Sequence, residues 1–388
     1  MITSPLLTAD VLTKPMINVV SFLKRMRLES DSELIDLSVG NPDLPPHASV
    51  IDELIKCSQR EDIHGYGNFD GQPVLLENIQ RYYRKRYQAE VAKNQIHVIR
   101  GVRNLLFSIA YIFVAPGETV LIPSIGYQSY YLATLFNHAE PYLVPMQPEA
   151  NYVPEVWTLP EDVLARAKLL YLNYPNNPTG SQITREQLTR IVEVCRKYGI
   201  LLCYDNAYNE IVFDGLSPIS LFEIPGAWEI GIEITSMSKL TSLAGWRIAF
   251  CVANESIINY IWNYNAVTDS AVYDGFQIAG AKALAHVIEH DDGKRLASIY
   301  RKRRDIVMSG FDTAGITYYK PQGGFYMWLN VPEGKTDMDF AAEICRKAQV
   351  LLTPGSYYGE SGAHNVRLSL TASEDRLQTA ADRIAGLI

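Results

Sequence analysis

From about residue 95 the apolar positions fall into short unbroken runs that alternate with longer segments of helical spacing. "IHVIR" (96–100) predicts a strand, "NLLFSIAYIFV" a helix and "TVLIP" a strand; "YQSYYLATLFNHA" predicts a helix. "KLLYLNYP" and "ILLCYDNAY" read as further strands, separated by the helical "TREQLTRIVEVCRKYG". Such alternation predicts βαβ units on a parallel sheet. Strands without polar alternation predict a sheet covered by helices on both faces.

Beyond about 280 the texture changes to a long charged helix, a hairpin-like "YYKPQGGFYMWLNV", the helical "DMDFAAEICRKAQ", the strand "NVRLSLT" and a last helix. At 388 residues the chain exceeds the size of a single core. The expectation is an α/β protein with a large domain over 49–280 and a smaller α+β domain over 281–388. Residues 1–48 are expected to form an arm and part of the smaller domain, with a lid within 10–30.

Composition narrows the classes. Lys and Arg number 35 against 43 Asp and Glu, a net charge of −8, and the densest basic stretch, "RKRRD" (301–305), lies in a helical pattern. Nucleic acid is therefore not an expected partner. The longest mostly apolar run, "LLFSIAYIFVAP" (105–116), is shorter than a membrane span. The N-terminal segment lacks the layout of a signal peptide. Five cysteines without a Cys-x-x-Cys pair argue against a disulfide framework or zinc site and for a reducing, cytoplasmic setting.

Ligands of open α/β sheets bind outside the carboxyl ends of the strands. Three unusual stretches fall there: "YPNNPTG" (174–180), "YDNAY" (204–208) and "TSMSK" (235–239). Singly, each has an ordinary reading as a turn, a cap or a solvated lysine. A separate candidate is "HVIEH" (286–290), whose i, i+4 histidines match an inverted zinc-protease motif but bring no third ligand. In "NVRLSLT", Val366, Leu368 and Leu370 share one strand face and Arg367 the other, and a guanidinium on a cleft suits a carboxylate.

Together with "SVGNPDLPP", "GYGNFDG", "GWR", "PQGGFYMW" and "TPGSYYG", these stretches resemble the fold-type-I pyridoxal-phosphate enzymes, class I/II aminotransferases, nearest the LL-diaminopimelate aminotransferase branch. The resemblance implies a large domain on a mostly parallel seven-stranded sheet, pyridoxal 5'-phosphate as cofactor, and amino transfer between an L-amino acid and a 2-oxo acid. Lys239 would hold the cofactor aldehyde as a Schiff base and move the proton. Asp205 would face the pyridine nitrogen, Tyr208 and Asn177 the phenolic oxygen, and Tyr127 the ring face. Ser236, Ser238, Arg247 and the backbone amides of Val102 and Arg103 would hold the phosphate, the last two at a helix start. Arg103 stands where the family more often has serine, lysine or glutamine. Arg367 and the Gly40 backbone would take the substrate carboxylate, and Tyr66 would reach a partner's phosphate in a homodimer.

Two departures bear on substrate. Phe69 stands where the diaminopimelate branch is expected to carry a glutamate, and 260–276 differs from that branch, which points to another amino acid. The rival reading on the same scaffold is a lyase, cyclase or oxidase of an amino acid, such as a hydroxylated or guanidino-bearing one, since all these reactions begin at the α-carbon. A cofactor-sensing regulator would need an additional basic domain.

Overall fold

The computed structural model describes residues 15–30 and 33–387; positions 10–14 of the expected lid lie outside them. Seven strands form the principal sheet: β2 (Ile96–Ile99), β3 (Thr119–Pro123), β4 (Glu140–Val144), β5 (Ala167–Asn173), β6 (Leu201–Asp205), β7 (Gly231–Ser236) and β8 (Ala249–Ala253). They run in the order β2-β8-β7-β6-β5-β3-β4. The β3, β4, β5, β6 and β7 neighbours pair parallel, while β8 pairs antiparallel with both β7 and β2. The exception follows from connection length. Only a helical turn, Met237–Leu240, and a short 3-10 segment join β7 to β8, and without a full crossover helix the chain returns antiparallel.

The unbroken apolar runs behave as expected. Every residue of β2, β3, β7 and β8 is buried, while β4, at a sheet edge, exposes Glu140 and Leu143. Leu169, Leu170, Tyr171 and Leu172 of β5 are fully buried, and each large apolar side chain so placed contributes about 1.5–3 kcal/mol. The covering helix Arg185–Tyr198 is closed at both ends by its own sequence. Thr184 Oγ1 accepts from Gln187 N at 3.1 Å, Gln187 Oε1 accepts from Thr184 N at 3.0 Å, and Gly199 ends the helix at φ +66°.

A second body surrounds a four-stranded antiparallel sheet ordered β12-β13-β10-β9, from β9 (Tyr318–Tyr319), β10 (Tyr326–Asn330), β12 (Thr353–Pro354) and β13 (Asn365–Ser369). Its core includes Phe311, Met327, Leu368 and Leu377, and it also takes in Val19, Phe22 and Met26 of the helix Pro15–Glu29. β1 (Ile35–Asp36) pairs parallel with β11 (Val350–Leu351), so the N-terminal segment packs with the C-terminal residues. The expected long charged helix is two helices, Asp274–His290 and Asp292–Ala314, broken at Asp291, which takes a left-handed φ of +51°. All five cysteines are free and buried. Among the described residues no helix is long and apolar enough to cross a membrane.

Candidate functional site

β2, β3, β5, β6 and β7 point the same way, so their carboxyl ends share one edge of the sheet, and a cavity of about 800 Å³ opens there. Twelve of the thirteen residues singled out in the sequence line it. The exception is Tyr66, which is fully exposed on the surface.

Register brings the first pair together. Asn173 ends β5 directly opposite Asp205 at the end of β6. Its amide donates to the Asp205 carbonyl at 2.7 Å, and its Oδ1 accepts from Asn177 N at 2.9 Å. Asp205 is buried, and burial raises its carboxyl from the ordinary 3.8 to about 6, with a hydrogen bond from Tyr130 working against the rise. That bond, Tyr130 Oη to Asp205 Oδ2, is 2.8 Å long. Asp205 Oδ1 is buried without a hydrogen-bond partner among the described residues. An orphaned carboxylate oxygen of this kind is costly unless a donor arrives from outside the chain.

Ser236 ends β7, and Ser238 and Lys239 lie in the helical turn that follows. The Lys239 Nζ donates to the carbonyl of Gly40 at 3.0 Å. Burial first, and then the charges of Arg247 and Arg367, lower its amine from 10.5 to about 8. Gly40 has no room for a side chain, since a Cβ there would lie 1.8 Å from Tyr326 Oη. Tyr326 Oη in turn meets Tyr208 Oη at 3.3 Å, and burial holds the Tyr208 hydroxyl protonated by pushing its pKa well up.

At the opposite side, Gly101 takes φ +84° and starts the helix Val102–Phe113, leaving the first amides of that helix directed at the cavity. Arg247 lies against Gly101 so closely that a Cβ would meet its Nη2 at 2.6 Å. Arg247 stands just before β8, in a left-handed conformation at φ +56° after the 3-10 turn Ala244–Trp246. Tyr127 caps the helix Gln128–Phe136 and accepts from Arg103 Nε at 2.8 Å.

Arg367 is buried at 5% exposure on β13. Its Nη1 donates to Asn177 Oδ1 at 3.0 Å and its Nη2 to the Ser38 carbonyl at 2.6 Å, while Nε has no partner among the described residues. The guanidinium sits 4.2 Å over the Tyr326 ring and 5.0 Å from that of Tyr358.

Sequence reasoning missed Asn173, Tyr130, Tyr326, Tyr358 and Ser38. Asn173 carried a usable signal, a polar residue ending an apolar strand; the tyrosines look like any core aromatic until the fold turns them inward. The "HVIEH" histidines lie elsewhere. His286 stacks on His47 at 4.1 Å and shares a hydrogen bond of 2.7 Å with Ser49 Oγ. The described residues contain no group of three or more His, Cys, Asp or Glu arranged to hold a metal.

Comparison with known proteins places this geometry in context. The model of the family "Aminotransferase class I and II" matches residues 32–384. An LL-diaminopimelate aminotransferase of Moorella thermoacetica is 33% identical over 92% of this chain and 91% of its own length. The Aquifex aeolicus enzyme of the same name is 31% identical over 94% of both. Among solved structures, substrate-bound BacF from Bacillus subtilis superposes with a TM-score of 0.93 at 30% identity, covering 100% of this chain and 98% of BacF. A probable N-succinyldiaminopimelate aminotransferase from Thermus thermophilus gives 0.89 at 28% identity, covering 96% and 99%.

Proposed function

This chain belongs to the class I and II aminotransferases, pyridoxal-phosphate enzymes that move an amino group between an L-amino acid and a 2-oxo acid, and from that premise we propose which of its residues perform the reaction. When bound, the cofactor supplies an aldehyde for the amino group and a ring that withdraws electrons from the substrate α-carbon.

Asp205 offers its unpartnered Oδ1 to the ring nitrogen, and this buried, unpartnered oxygen is the observation that carries the reading. A carboxylate raised only to about 6 is still ionised near neutral pH and gains its missing donor from a protonated nitrogen. The Tyr130 hydroxyl fixes the other oxygen and so aims the group. The protonated Tyr208 hydroxyl and the Asn177 amide are the donors for the phenolic oxygen, and Tyr127 covers the ring face. The amides of Val102 and Arg103, with Ser236, Ser238 and Arg247, form the phosphate cradle. Support for the cradle is the close contact of Arg247 with Gly101 at the start of a helix.

Lys239 is the amine that anchors the aldehyde and then takes the proton from the substrate α-carbon. Its lowered pKa supports both duties, since each needs an unprotonated nitrogen. Arg367 is the carboxylate fork, pre-set by Asn177 and the Ser38 carbonyl and cushioned on Tyr326. The Gly40 backbone borders the same carboxylate.

The enzyme is proposed to act as a homodimer in which Tyr66 completes the partner's phosphate site; its full exposure on one chain supports this. Residues 49–280 and 281–388, the latter with 1–48, are proposed as its two domains, and five unpaired cysteines support a reducing, cytoplasmic setting. The donor is proposed to differ from diaminopimelate. Phe69 is held against His97 and Trp262, with ring centroids 5.4 and 5.5 Å away, and offers no carboxylate.

Borohydride reduction followed by peptide mass spectrometry should place the cofactor on Lys239; label on any other lysine refutes the assignment. Mixing Tyr66→Ala with Lys239→Ala protein should restore activity through heterodimers carrying one intact site. If Tyr66 acted within its own chain, no mixture would recover.

A further inference from the structure

The densest basic stretch of the chain, "RKRRD" (301–305), lies in the helix Asp292–Ala314, yet Arg303 and Arg304 are only 4% and 2% exposed. Successive helical residues point about 100° apart, so the two side chains leave the helix toward different segments. Arg303 forms a bidentate pair with Asp43, Nη1 to Oδ1 and Nη2 to Oδ2 both at 2.7 Å, and its Nη1 also donates to the Leu370 carbonyl at 3.1 Å. Arg304 forms its own bidentate pair with Asp214, at 2.8 and 2.9 Å, and donates to the Pro321 carbonyl at 3.0 Å.

Neither pair lines the cavity, but Asp43 lies three residues beyond Gly40. The segment from Ser38 to Gly40 supplies the carbonyls that receive Arg367 and Lys239. Side chains of the smaller body brace it: Thr353 Oγ1 donates to the Ser38 carbonyl at 2.8 Å and Thr371 Oγ1 to that of Val39 at 3.1 Å. Beyond Gly40 such bracing stops. The run "NPDLPP" (41–46) contains Pro42, Pro45 and Pro46, which have no amide to donate. Among the described residues no backbone–backbone hydrogen bond holds 41–46, which leaves the Asp43 carboxylate as the tether of the loop. The segment that ends at Asp214 has other fastenings. Val212 forms an antiparallel bridge with Gly323, Phe213 N donates to the Gln322 carbonyl at 2.9 Å, and Gly324 N donates to the Ile211 carbonyl at 2.7 Å.

We propose that Arg303 is a positioning residue for the amino transfer described above, on which this inference rests: through Asp43 it sets the course of residues 38–40, and with it the seat of the Arg367 fork and of the Gly40 backbone beside the substrate carboxylate. A bidentate pair fixes direction as well as distance, and a lysine in its place keeps the charge without the planar fork. Freed from Arg303, the proline-rich loop lets the Ser38 and Gly40 carbonyls shift together, and the carboxylate fork loses its alignment with the rest of the site.

The test uses the holoenzyme and, as amino donor, the standard L-amino acid for which wild type has the highest kcat/KM, with 2-oxoglutarate or pyruvate as acceptor. Arg303→Met should raise KM for the donor about tenfold, the low end of what misaligned charge-assisted hydrogen bonds to a carboxylate cost, with kcat changing less. Arg303→Lys should recover part of the loss, and Asp43→Asn should raise KM in the same sense. The double variant Arg303→Met/Asp43→Asn should be no worse than Arg303→Met, because the two side chains act as one unit. The rise in melting temperature that the donor gives the holoenzyme without acceptor should shrink in parallel. Arg304→Met is the matched control: it breaks an equally buried pair on the same helix and should lose comparable stability in a urea melt while KM stays near the wild-type value. If Arg303→Met does not fold, Arg303→Lys and Asp43→Asn carry the same reading. Arg303 variants that lose stability and keep a wild-type KM make the pair purely structural and the proposal wrong. An equal rise in KM for Arg304→Met also overturns it. Failure of the wild type to transfer an amino group from any donor would sink the aminotransferase reading itself, and this assignment with it.

Discussion

Placing Lys239 beside two arginines on the cavity wall makes its amine the most informative group to titrate. The drop from 10.5 to about 8 corresponds to about 3 kcal/mol in favour of the neutral form. At pH 8 about half of the Lys239 amine is then unprotonated, against roughly one part in three hundred for an ordinary lysine. The measurement is competitive acylation of apoenzyme, prepared by dialysis against phosphate, over pH 6 to 11, with the 239 peptide quantified by mass spectrometry beside solvent-exposed Lys302. The midpoint for Lys239 should fall near 8. Arg367→Met should move the Lys239 midpoint upward yet leave it below 10.5, because burial is the larger cause. Linkage gives a second readout. Between pH 8 and 10.5 the unfolded chain keeps a proton that the folded amine has lost, so this group's penalty is full below about 8 and fades as pH rises toward 10.5. Apo Lys239→Met should therefore be more stable than apo wild type at pH 7 by up to about 3 kcal/mol in urea melts, with the gap narrowing above pH 8. A midpoint near 10.5, or a variant no more stable at pH 7, would refute the reasoning.

Two further substitutions test the walls of the site. Asp205→Asn should lower kcat/KM about 10²- to 10³-fold, as expected for losing one preorganised charge partner. It should not weaken the apo fold at pH 7, where a carboxylate with a raised folded pKa costs stability; that cost is full above about 6 and gone below 3.8, so urea melts at pH 7 and pH 3.5 check the sign. Gly40→Ala should raise KM for the amino acid at least tenfold, since its Cβ must displace Tyr326 from beneath Arg367, and cost about 1–3 kcal/mol in a thermal melt.

What the chain's pattern determines by itself is local. Short apolar runs between turn signals read as buried strands, the "TREQ" stretch writes its own helix cap, and a polar residue ending such a strand, as at Asp205 or Ser236, lies at the sheet's carboxyl edge. The residue types for binding an anion and anchoring a carbonyl are legible for the same reason, because their chemistry belongs to the side chain. Tertiary structure decides what faces them. Arg367 meets Asn177 across 190 positions, Lys239 finds the Gly40 carbonyl across 199, and Tyr130 reaches Asp205 from a helix whose tyrosines look alike in sequence. Likewise the reversal of β8 and the break at Asp291 follow from how far a connection reaches and which turn the packing admits. Periodicity reports only neighbours along the chain, whereas the shifts at Lys239 and Asp205 arise from burial among segments far apart in sequence, which the pattern of any one segment does not record.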